Sequence, residues 1–294
     1  MRHGGHVLEA VIIRPHFFDT PKISMTDKYA VIGNPISHSQ SPQIHRMFAE
    51  QTGQDISYGA VLAPLDGFVA TIERLRKEGY KGCNVTVPFK FEAYQLAKIN
   101  HEYVVLGHAA NTLRLDGDTI IGDNTDGIGL VRDIESNLGI SLNNKQVLLM
   151  GAGGAAYGVA LTLRDAGAIL KIVNRTVDKA TSLAAALQSN TPIPGYGFDQ
   201  LADLQCDIVI NATSAGLTDS ELPLPPNLFA PGALAYDLMY GRETPFMKFA
   251  REHGAAVVSD GLGMLVEQAA ESFFIWRGIR PDTAKVIAAL RSQQ

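Results

Sequence analysis

The chain has 294 residues, of which 46% are hydrophobic and 19% charged, so it can form a packed core and does not have the composition of a disordered protein. Its length favours two domains, and a net charge of −5 argues against binding to nucleic acid or to an anionic membrane surface. The two cysteines, Cys83 and Cys206, form no C-x-x-C pair, which argues against a disulfide scaffold or a thiolate zinc site and is typical of a cytoplasmic protein.

Residues 1–24 are predicted to be an N-terminal extension without chemistry, with Met25 as the functional start. The apolar part of this extension, residues 11–13, is too short for a signal peptide. No stretch of the chain predicts a membrane span. His3 and His6 have H-x-x-H spacing, but no third ligand accompanies them, and we predict no metal site.

Strand and helix signals alternate through the first half of the chain. Ser41 and Pro42 predict a helix start, as the N-cap and the first helical residue. The dipeptide Asp116-Gly117 predicts the tight turn of a hairpin. Strands are predicted at 29–32, 58–62, 84–87, 111–115 and 119–121, and helices at about 42–52, 68–78, 92–99 and 127–138.

The second half of the chain, after a polar and turn-rich stretch at 139–145, has the alternation of a βαβαβ unit. Thr244 and Pro245 predict the start of one of its helices. Strands are predicted at 146–150, 169–174, 207–211, 233–238 and 256–259, and the other helices at about 155–165, 177–188, 264–276 and 281–291.

A glycine-rich turn joins the first strand and the first helix of this unit. Residues 151–156 have the sequence GAGGAA and satisfy the pattern G-x-G-x-x-G/A, with Ala156 in the last place. The first glycine permits a tight turn, the second lets the backbone approach a pyrophosphate, and the helix N-terminus faces the negative charge. In this context the motif predicts a nucleotide site, the alternative being a tight turn without a ligand.

The end of the next strand indicates which nucleotide is bound. An NAD site usually has Asp or Glu at this position, whereas this chain has Arg175, with Lys179 one helical turn later and no acid before Asp178. A guanidinium can bind a 2′-phosphate through two hydrogen bonds and opposite charge, and a carboxylate would repel it. The sequence therefore predicts NADP(H) rather than NAD(H), unless Arg175 is only a solvated loop charge.

Polar side chains in the first half are candidates for a small-molecule site. Ser39 and Ser41 stand beside a predicted helix N-terminus and are suited to a carboxylate, although Ser41 could also be a plain N-cap. Asn84 and Thr86 occupy alternate positions of a predicted strand and could both face a cleft.

Two charged residues follow these segments. Lys90 lies just beyond the strand and by default is a surface charge. Asp126 or Thr125 could merely cap the helix that follows. Spacing alone does not bring Lys90 and Asp126 together.

Nine segments, in this order, resemble the shikimate dehydrogenase family, the NADP-dependent enzymes of aromatic amino-acid biosynthesis. The resemblance spans about residues 28–292 and leaves residues 1–24 outside. The segments are GNPISHSQSP at 33–42, NVTVPFK at 84–90, ANTL at 110–113, GDNTDG at 122–127, GAGGAA at 151–156, NRT at 174–176, NATSAG at 211–216, YDLMY at 236–240 and DGLGMLVEQAA at 260–270.

The resemblance implies site residues that spacing leaves open. Lys90 and Asp126 would form the catalytic pair. The substrate contacts would be Ser39, Ser41, Thr86, Lys90, Asn111, Asp126, Tyr240 and Gln268. The cofactor contacts would be Gly151, Ala152, Gly153, Gly154, Ala155, Asn174, Arg175, Thr176, Lys179, Thr213, Leu238 and Gly261.

The implied reaction is the reversible reduction of 3-dehydroshikimate by NADPH to shikimate. Hydride would reach the C3 carbonyl carbon while Lys90, oriented by Asp126, donates to the carbonyl oxygen. The implied fold is α/β, with a cleft between a substrate-binding domain (25–126 plus 262–294) and a Rossmann-like NADP-binding domain (127–261).

Three other interpretations stay open. A dual-specificity quinate/shikimate dehydrogenase would accept NAD more readily, which Arg175 disfavours. A folate-type methylene dehydrogenase is disfavoured by the serine pair and by GDNTDG, and a catalytically inactive NADP-binding protein by intact Lys90 and Asp126. We expect a cytoplasmic monomer or homodimer that acts on a small molecule, with no nucleic-acid or membrane partner.

Overall fold

The first sheet forms the N-terminal half of the molecule. The computed structural model describes residues 26–187, 192–215 and 220–293; the predicted extension 1–24, Met25 and the His3/His6 pair lie outside the described residues. The sheet has the strand order β2-β1-β3-β5-β6-β4, and β5 is antiparallel to both of its neighbours. Its strands are β1 (Asp27–Gly33), β2 (Ile56–Leu62), β3 (Tyr80–Val85), β4 (Ile99–Asn100), β5 (Thr112–Asp116) and β6 (Thr119–Asp123).

The second sheet is parallel throughout and has the order β12-β11-β10-β7-β8-β9. This is the strand order of a dinucleotide-binding Rossmann sheet, with the reversal of direction between β7 and β10. The carboxyl ends of those two strands therefore flank a crevice, and the predicted α/β class is confirmed. The strands are β7 (Gln146–Met150), β8 (Ile169–Val173), β9 (Gly195–Tyr196), β10 (Cys206–Asn211), β11 (Phe229–Asp237) and β12 (Val257–Ser259).

Helices cover both sheets. The described helices are α1 (Ser41–Thr52), α2 (Phe68–Lys77), α3 (Lys90–Leu96), α4 (Glu102–Gly107), α5 (Asp126–Arg132), α6 (Gly154–Asp165), α7 (Val177–Ala186), α8 (Pro245–Glu252), α9 (Leu262–Arg277) and α10 (Thr283–Arg291). A π-helical turn at Asp133–Asn137 continues α5, and a short 3₁₀ helix spans Phe198–Gln200. None of the helices in the described ranges is long and apolar enough to cross a membrane.

Three element predictions need correction. The strand predicted at 84–87 ends at Val85, because the chain turns there: the N–H of Phe89 donates to the carbonyl of Thr86 at 3.0 Å. The helix predicted at 127–138 divides into α5 and the π-helical turn. The short β4, β9 and α4 were not predicted, since two to six residues are too few to show a period.

The C-terminal helices return to the first sheet. Phe48 of α1 packs with Val266 and Phe273 of α9 in one fully buried apolar cluster, which α10 joins through Val286. The indole N–H of Trp276 also donates to a carbonyl of β5, that of Leu113, at 3.2 Å. Helix α9 therefore belongs to the same packed unit as α1, and its polar residues can reach the first half.

Helix α5 joins the two halves by close packing on both sides. A Cβ on Gly127 would overlap the Thr162 hydroxyl of α6, and a Cβ on Gly129 would lie 2.7 Å from the backbone nitrogen of Gln268 in α9. Only glycine permits such approaches, since real Cβ contacts under 3.0 Å essentially do not occur. Asp126, the first residue of α5, is consequently held between the first sheet and the second half of the chain.

Candidate active site

Lys90 and Asp126 meet in the space between the halves. Lys90 begins α3 and Asp126 begins α5, and the ammonium Nζ donates to the carboxylate Oδ2 at 2.5 Å. The side chains are only 17% and 7% exposed, so the ion pair is largely screened from water. Asp126 is the first helical residue and not the cap; Thr125, the other predicted candidate, holds the N-cap position without a capping side-chain hydrogen bond.

Asn111 orients the carboxylate from the other side. Its amide Nδ2 donates to Asp126 Oδ1 at 2.7 Å and to the Thr125 hydroxyl at 2.9 Å, and its Oδ1 accepts from the Thr125 N–H at 2.8 Å. Gln268 of α9 completes the group, because its Oε1 lies 3.3 Å from Asn111 Nδ2. Asp126 thus has both oxygens engaged, one by a cation and one by a fixed amide.

A buried polar network extends this group toward α1. The Asn84 amide Nδ2 donates to the hydroxyls of Thr112 at 3.0 Å and Ser272 at 2.9 Å, and its Oδ1 accepts from the Tyr58 hydroxyl at 2.7 Å. Sequence reasoning missed Thr112, Ser272 and Tyr58. The one available signal was that Ser272 lies a helical turn beyond Gln268 on α9.

The predicted serine pair lies at the start of α1. Ser41 is the first helical residue and not the N-cap that was predicted, because Gln40 holds the N-cap position. The Ser39 hydroxyl accepts the Ser41 N–H at 3.3 Å, one of the N–H groups that have no partner within the helix. Burial raises the pKa of the Tyr58 phenol well above its usual value, and the hydrogen-bonding side chain of buried Ser41 acts in the opposite direction without reversing that shift. A continuous set of polar groups therefore runs from Ser41 to Lys90.

Two other predicted substrate residues line the same region. Thr86 is half-buried. A Cβ on Gly33, the first residue of the segment GNPISHSQSP, would lie 2.5 Å from the methyl carbon of Thr86. Tyr240 packs against the apolar cluster of α1 and α9, and burial raises the pKa of its phenol. Thr86 thus lies next to the segment 33–42, and Tyr240 lies next to α9.

The glycine turn fits a dinucleotide. Gly151 has φ +111°, and a Cβ there would lie 2.9 Å from the Ala212 carbonyl, so neither the backbone conformation nor the space admits another residue. A Cβ on Gly153 would meet nothing within 4 Å, which leaves open space at the N-terminus of α6. The turn is thus packed against the residues that follow β10 on one side and open to a phosphate group on the other.

A cavity of about 420 Å³ lies between this turn, α7 and α3. Arg175, Thr176 and Lys179 are exposed at the end of β8, and neither cation has an ion-pair partner within the described ranges. Asn174 donates to the Thr176 carbonyl at 3.0 Å and fixes this loop. The residues that line the cavity are Phe91, Ala152, Gly153, Tyr157, Asp178, Lys179 and Ser182.

The remaining predicted cofactor contacts meet at the carboxyl edge of the second sheet. A Cβ on Gly261 would overlap the Leu238 carbonyl, and the Gly261 N–H donates to the Met239 carbonyl at 2.8 Å. Thr213 follows β10, beside Gly151. Within the residues that the structure describes, no group of three His, Cys, Asp or Glu side chains could hold a metal ion.

Family models match three parts of the chain. They are the shikimate dehydrogenase substrate binding domain over residues 31–113, shikimate / quinate 5-dehydrogenase over 133–218, and the shikimate 5'-dehydrogenase C-terminal domain over 261–291. A shikimate dehydrogenase (NADP(+)) of Methylobacillus flagellatus is 60% identical over 268 residues, which are 90% of this chain and 99% of that protein. The chain belongs to the shikimate dehydrogenase family.

Solved structures of similar proteins agree with this family in fold. The Ael1 enzyme from Pseudomonas putida is 48% identical and superposes with a TM-score of 0.85 over 90% of this chain and 98% of its own. Shikimate 5-dehydrogenase from Thermus thermophilus, solved in complex with NADP(H) and shikimate, is 31% identical with a TM-score of 0.82 over 91% of this chain and 100% of its own. The two-sheet architecture is thus the family's architecture.

Proposed function

We infer that this protein catalyses the reversible NADPH-dependent reduction of 3-dehydroshikimate to shikimate, as an oxidoreductase of aromatic amino-acid biosynthesis. The observation that carries this conclusion is the largely buried Lys90–Asp126 ion pair, set between a polar pocket and a Rossmann crevice in a member of this family. A buried cation beside open polar groups is suited to stabilising an alkoxide as it forms.

The substrate would lie along the polar groups that connect Ser41 to Lys90. Ser39 and Ser41, at the N-terminus of a twelve-residue helix, would bind the carboxylate. Asn111, Asp126 and Lys90 would bind the oxygens at the reacting end of the ring, where their polar atoms converge. The contacts between these ends would be made by Thr86, Tyr240 and Gln268.

Lys90 would act as a charged hydrogen-bond donor to the C3 oxygen. When it is bound, NADPH supplies the hydride for the carbonyl carbon. Lys90 would donate to the oxygen as negative charge develops there, and that oxygen would take up one proton, drawn from solvent, to complete the hydroxyl group. In the reverse direction the proton would leave and Lys90 would stabilise the same alkoxide. Asp126, fixed by Asn111, keeps Nζ in place and can accept from a neighbouring substrate hydroxyl.

The cofactor would occupy the crevice between β7 and β10. Its pyrophosphate would face the open N-terminus of α6, and its 2′-phosphate would face the exposed cations Arg175 and Lys179. The nicotinamide would approach Leu238 and Gly261. The contacts proposed for the cofactor are Gly151, Ala152, Gly153, Gly154, Ala155, Asn174, Arg175, Thr176, Lys179, Thr213, Leu238 and Gly261.

The proposal includes the organisation of the chain. Residues 25–126 with 262–294 would form the substrate-binding unit and residues 127–261 the NADP-binding unit, because α9 and α10 pack on α1 and the parallel sheet binds the nucleotide. The enzyme would be a cytoplasmic monomer or homodimer without nucleic-acid or membrane partners.

Purified protein should oxidise NADPH only when 3-dehydroshikimate is present, and shikimate should form in equal amount. NADPH absorbance measures the first quantity, and chromatography with mass detection measures the second. The matched control is the same mixture without 3-dehydroshikimate. Consumption of NADPH without shikimate, or no consumption at all, would contradict the proposed function.

A further inference from the structure

A buried carboxylate lies behind the cofactor crevice, at the end of β11. Asp237 has no solvent-exposed surface, and three donors reach it. The Thr244 hydroxyl donates to Oδ2 at 2.6 Å, the Asn211 amide donates to Oδ2 at 3.1 Å, and the Met239 N–H donates to Oδ1 at 3.0 Å. One side chain thus connects the end of β10, the turn after β11 and the start of α8.

The three groups that donate hydrogen bonds to Asp237 are neutral. Within the described ranges Lys, Arg and His form no ion pair with Asp237. A buried carboxylate without a cation costs several kcal/mol of desolvation in general, which a neutral side chain of similar shape would avoid. The distinctive contribution of Asp237 is therefore its acceptor geometry, which orients the groups around it.

Asp237 fixes the orientation of the Asn211 side-chain amide. A carboxylate can only accept, so it holds the Nδ2 end of Asn211 toward itself and leaves the Oδ1 end facing the other way. That Oδ1 accepts from the Thr213 hydroxyl at 2.7 Å and from the Thr213 N–H at 3.1 Å. The Thr213 hydroxyl in turn accepts the Ala215 N–H at 3.2 Å, so residues 213–215 after β10 are fixed.

This loop forms one wall of the crevice. A Cβ on Gly151 would lie 2.9 Å from the Ala212 carbonyl and 3.3 Å from the Thr213 nitrogen, so the glycine turn and the loop are in contact. The Leu238 N–H also donates to the Asn211 carbonyl at 3.0 Å, which ties the turn after β11 to the same residue. Rotation of the Asn211 side chain would release Thr213, whereas its backbone carbonyl would still hold Leu238.

We propose that Asp237 is a positioning residue for the cofactor: it fixes the Asn211 amide, and through it Thr213, against the glycine turn. The proposal rests on the proposed function, which assigns Thr213 to the cofactor. Asp237 itself touches neither ligand, and it acts by keeping the walls of the crevice in their binding geometry.

Replacing Asp237 by asparagine leaves one acceptor oxygen where there were two, so an amide NH2 meets either the donors of Asn211 and Thr244 or the N–H of Met239. The dissociation constant of NADPH, measured by titration calorimetry without substrate, should rise about tenfold, the effect of one lost hydrogen-bond link. At saturating NADPH, kcat should stay within about twofold, because Asp237 is not hydrogen-bonded to Lys90 or Asp126.

A double-mutant cycle tests the route through Thr213. Asp237→Asn combined with Thr213→Val should weaken NADPH binding no more than the stronger of the two single variants, since both break one chain of contacts. Asp207→Asn is the matched control, because Asp207 accepts a backbone N–H, that of Gln146, at 2.8 Å at the opposite end of β10. It should leave NADPH affinity unchanged.

Asn211→Ala gives a second measurement that does not depend on the folding of Asp237→Asn. It removes the hydrogen bonds of the Asn211 side chain to Asp237 and Thr213 and leaves the Asp237 carboxylate in place. NADPH binding should weaken to the same extent as in Asp237→Asn. Unchanged NADPH affinity in a folded Asp237→Asn or Asn211→Ala variant, or additive effects in the cycle, would overturn the positioning role alone. Failure of the unaltered protein to bind NADPH would overturn the proposed function as well.

Discussion

Replacing Lys90 by methionine should lower kcat for 3-dehydroshikimate reduction by about two to four orders of magnitude. Removing a preorganised charged donor to a developing oxyanion has effects of about this size. Methionine keeps the unbranched side chain and removes only the charge and the donor. Steady-state rates at saturating NADPH and substrate measure the change.

Two further measurements separate this effect from damage to the fold. NADPH affinity without substrate should be unchanged in Lys90→Met, since the ammonium belongs to the substrate side of the cleft. Lys98→Met is the matched control, because Lys98 is exposed on the same half and its ammonium donates to the Asp118 carbonyl at 3.2 Å, away from Asp126. If Lys90→Met kept kcat within a few-fold of the unaltered enzyme, the catalytic assignment would be wrong.

Arg175→Ala should reduce kcat/KM for NADPH by about 10- to 100-fold and leave kcat/KM for NADH within about threefold. Hydrogen bonds to a charged group contribute about 1.5–3 kcal/mol, and only NADPH has the 2′-phosphate that would receive them. Arg175 is exposed beside Lys179, which would retain part of the attraction.

The control for Arg175→Ala is Arg46→Ala. Arg46 is an exposed arginine of α1 whose one ion pair within the described ranges is a 4.0 Å contact with Glu50. It should change neither coenzyme's kcat/KM. Equal losses with NADPH and NADH in Arg175→Ala would show that the arginine supports the loop and does not bind the phosphate.

The sequence predicted best those features whose causes are local. The strand at 146–150 was predicted with the bounds that the structure shows, and the glycine turn follows it, because an apolar run and a positive-φ glycine are both visible in the residues. Thr244 caps α8 as predicted, with its hydroxyl accepting the Met247 N–H at 3.2 Å. Such features need no knowledge of distant contacts.

The features that sequence reasoning missed are set by tertiary contacts. Lys90 and Asp126 are 36 positions apart, and the segment around Asn111 lies between them: the Ala110 N–H donates to the Lys90 carbonyl at 3.0 Å, and the Asn111 N–H donates to the Asp123 carbonyl at 3.1 Å. The π-helical turn forms where buried Asp133 accepts a hydrogen bond, at 2.6 Å, from the hydroxyl of Tyr236 in β11. Only the resemblance to a known family suggested the ion pair, and no local pattern indicated the network of Asn84 and Ser272.

The most direct test of the whole account is a set of four initial rates for the oxidation of shikimate or quinate with NADP⁺ or NAD⁺. We expect high activity with shikimate and NADP⁺ and much lower activity with the other three pairs. That result would support both the biosynthetic reaction and the phosphate-binding role of Arg175. Comparable rates with quinate or with NAD⁺ would contradict the account and indicate a dual-specificity enzyme, and no activity with any pair would indicate an NADP-binding protein without this reaction.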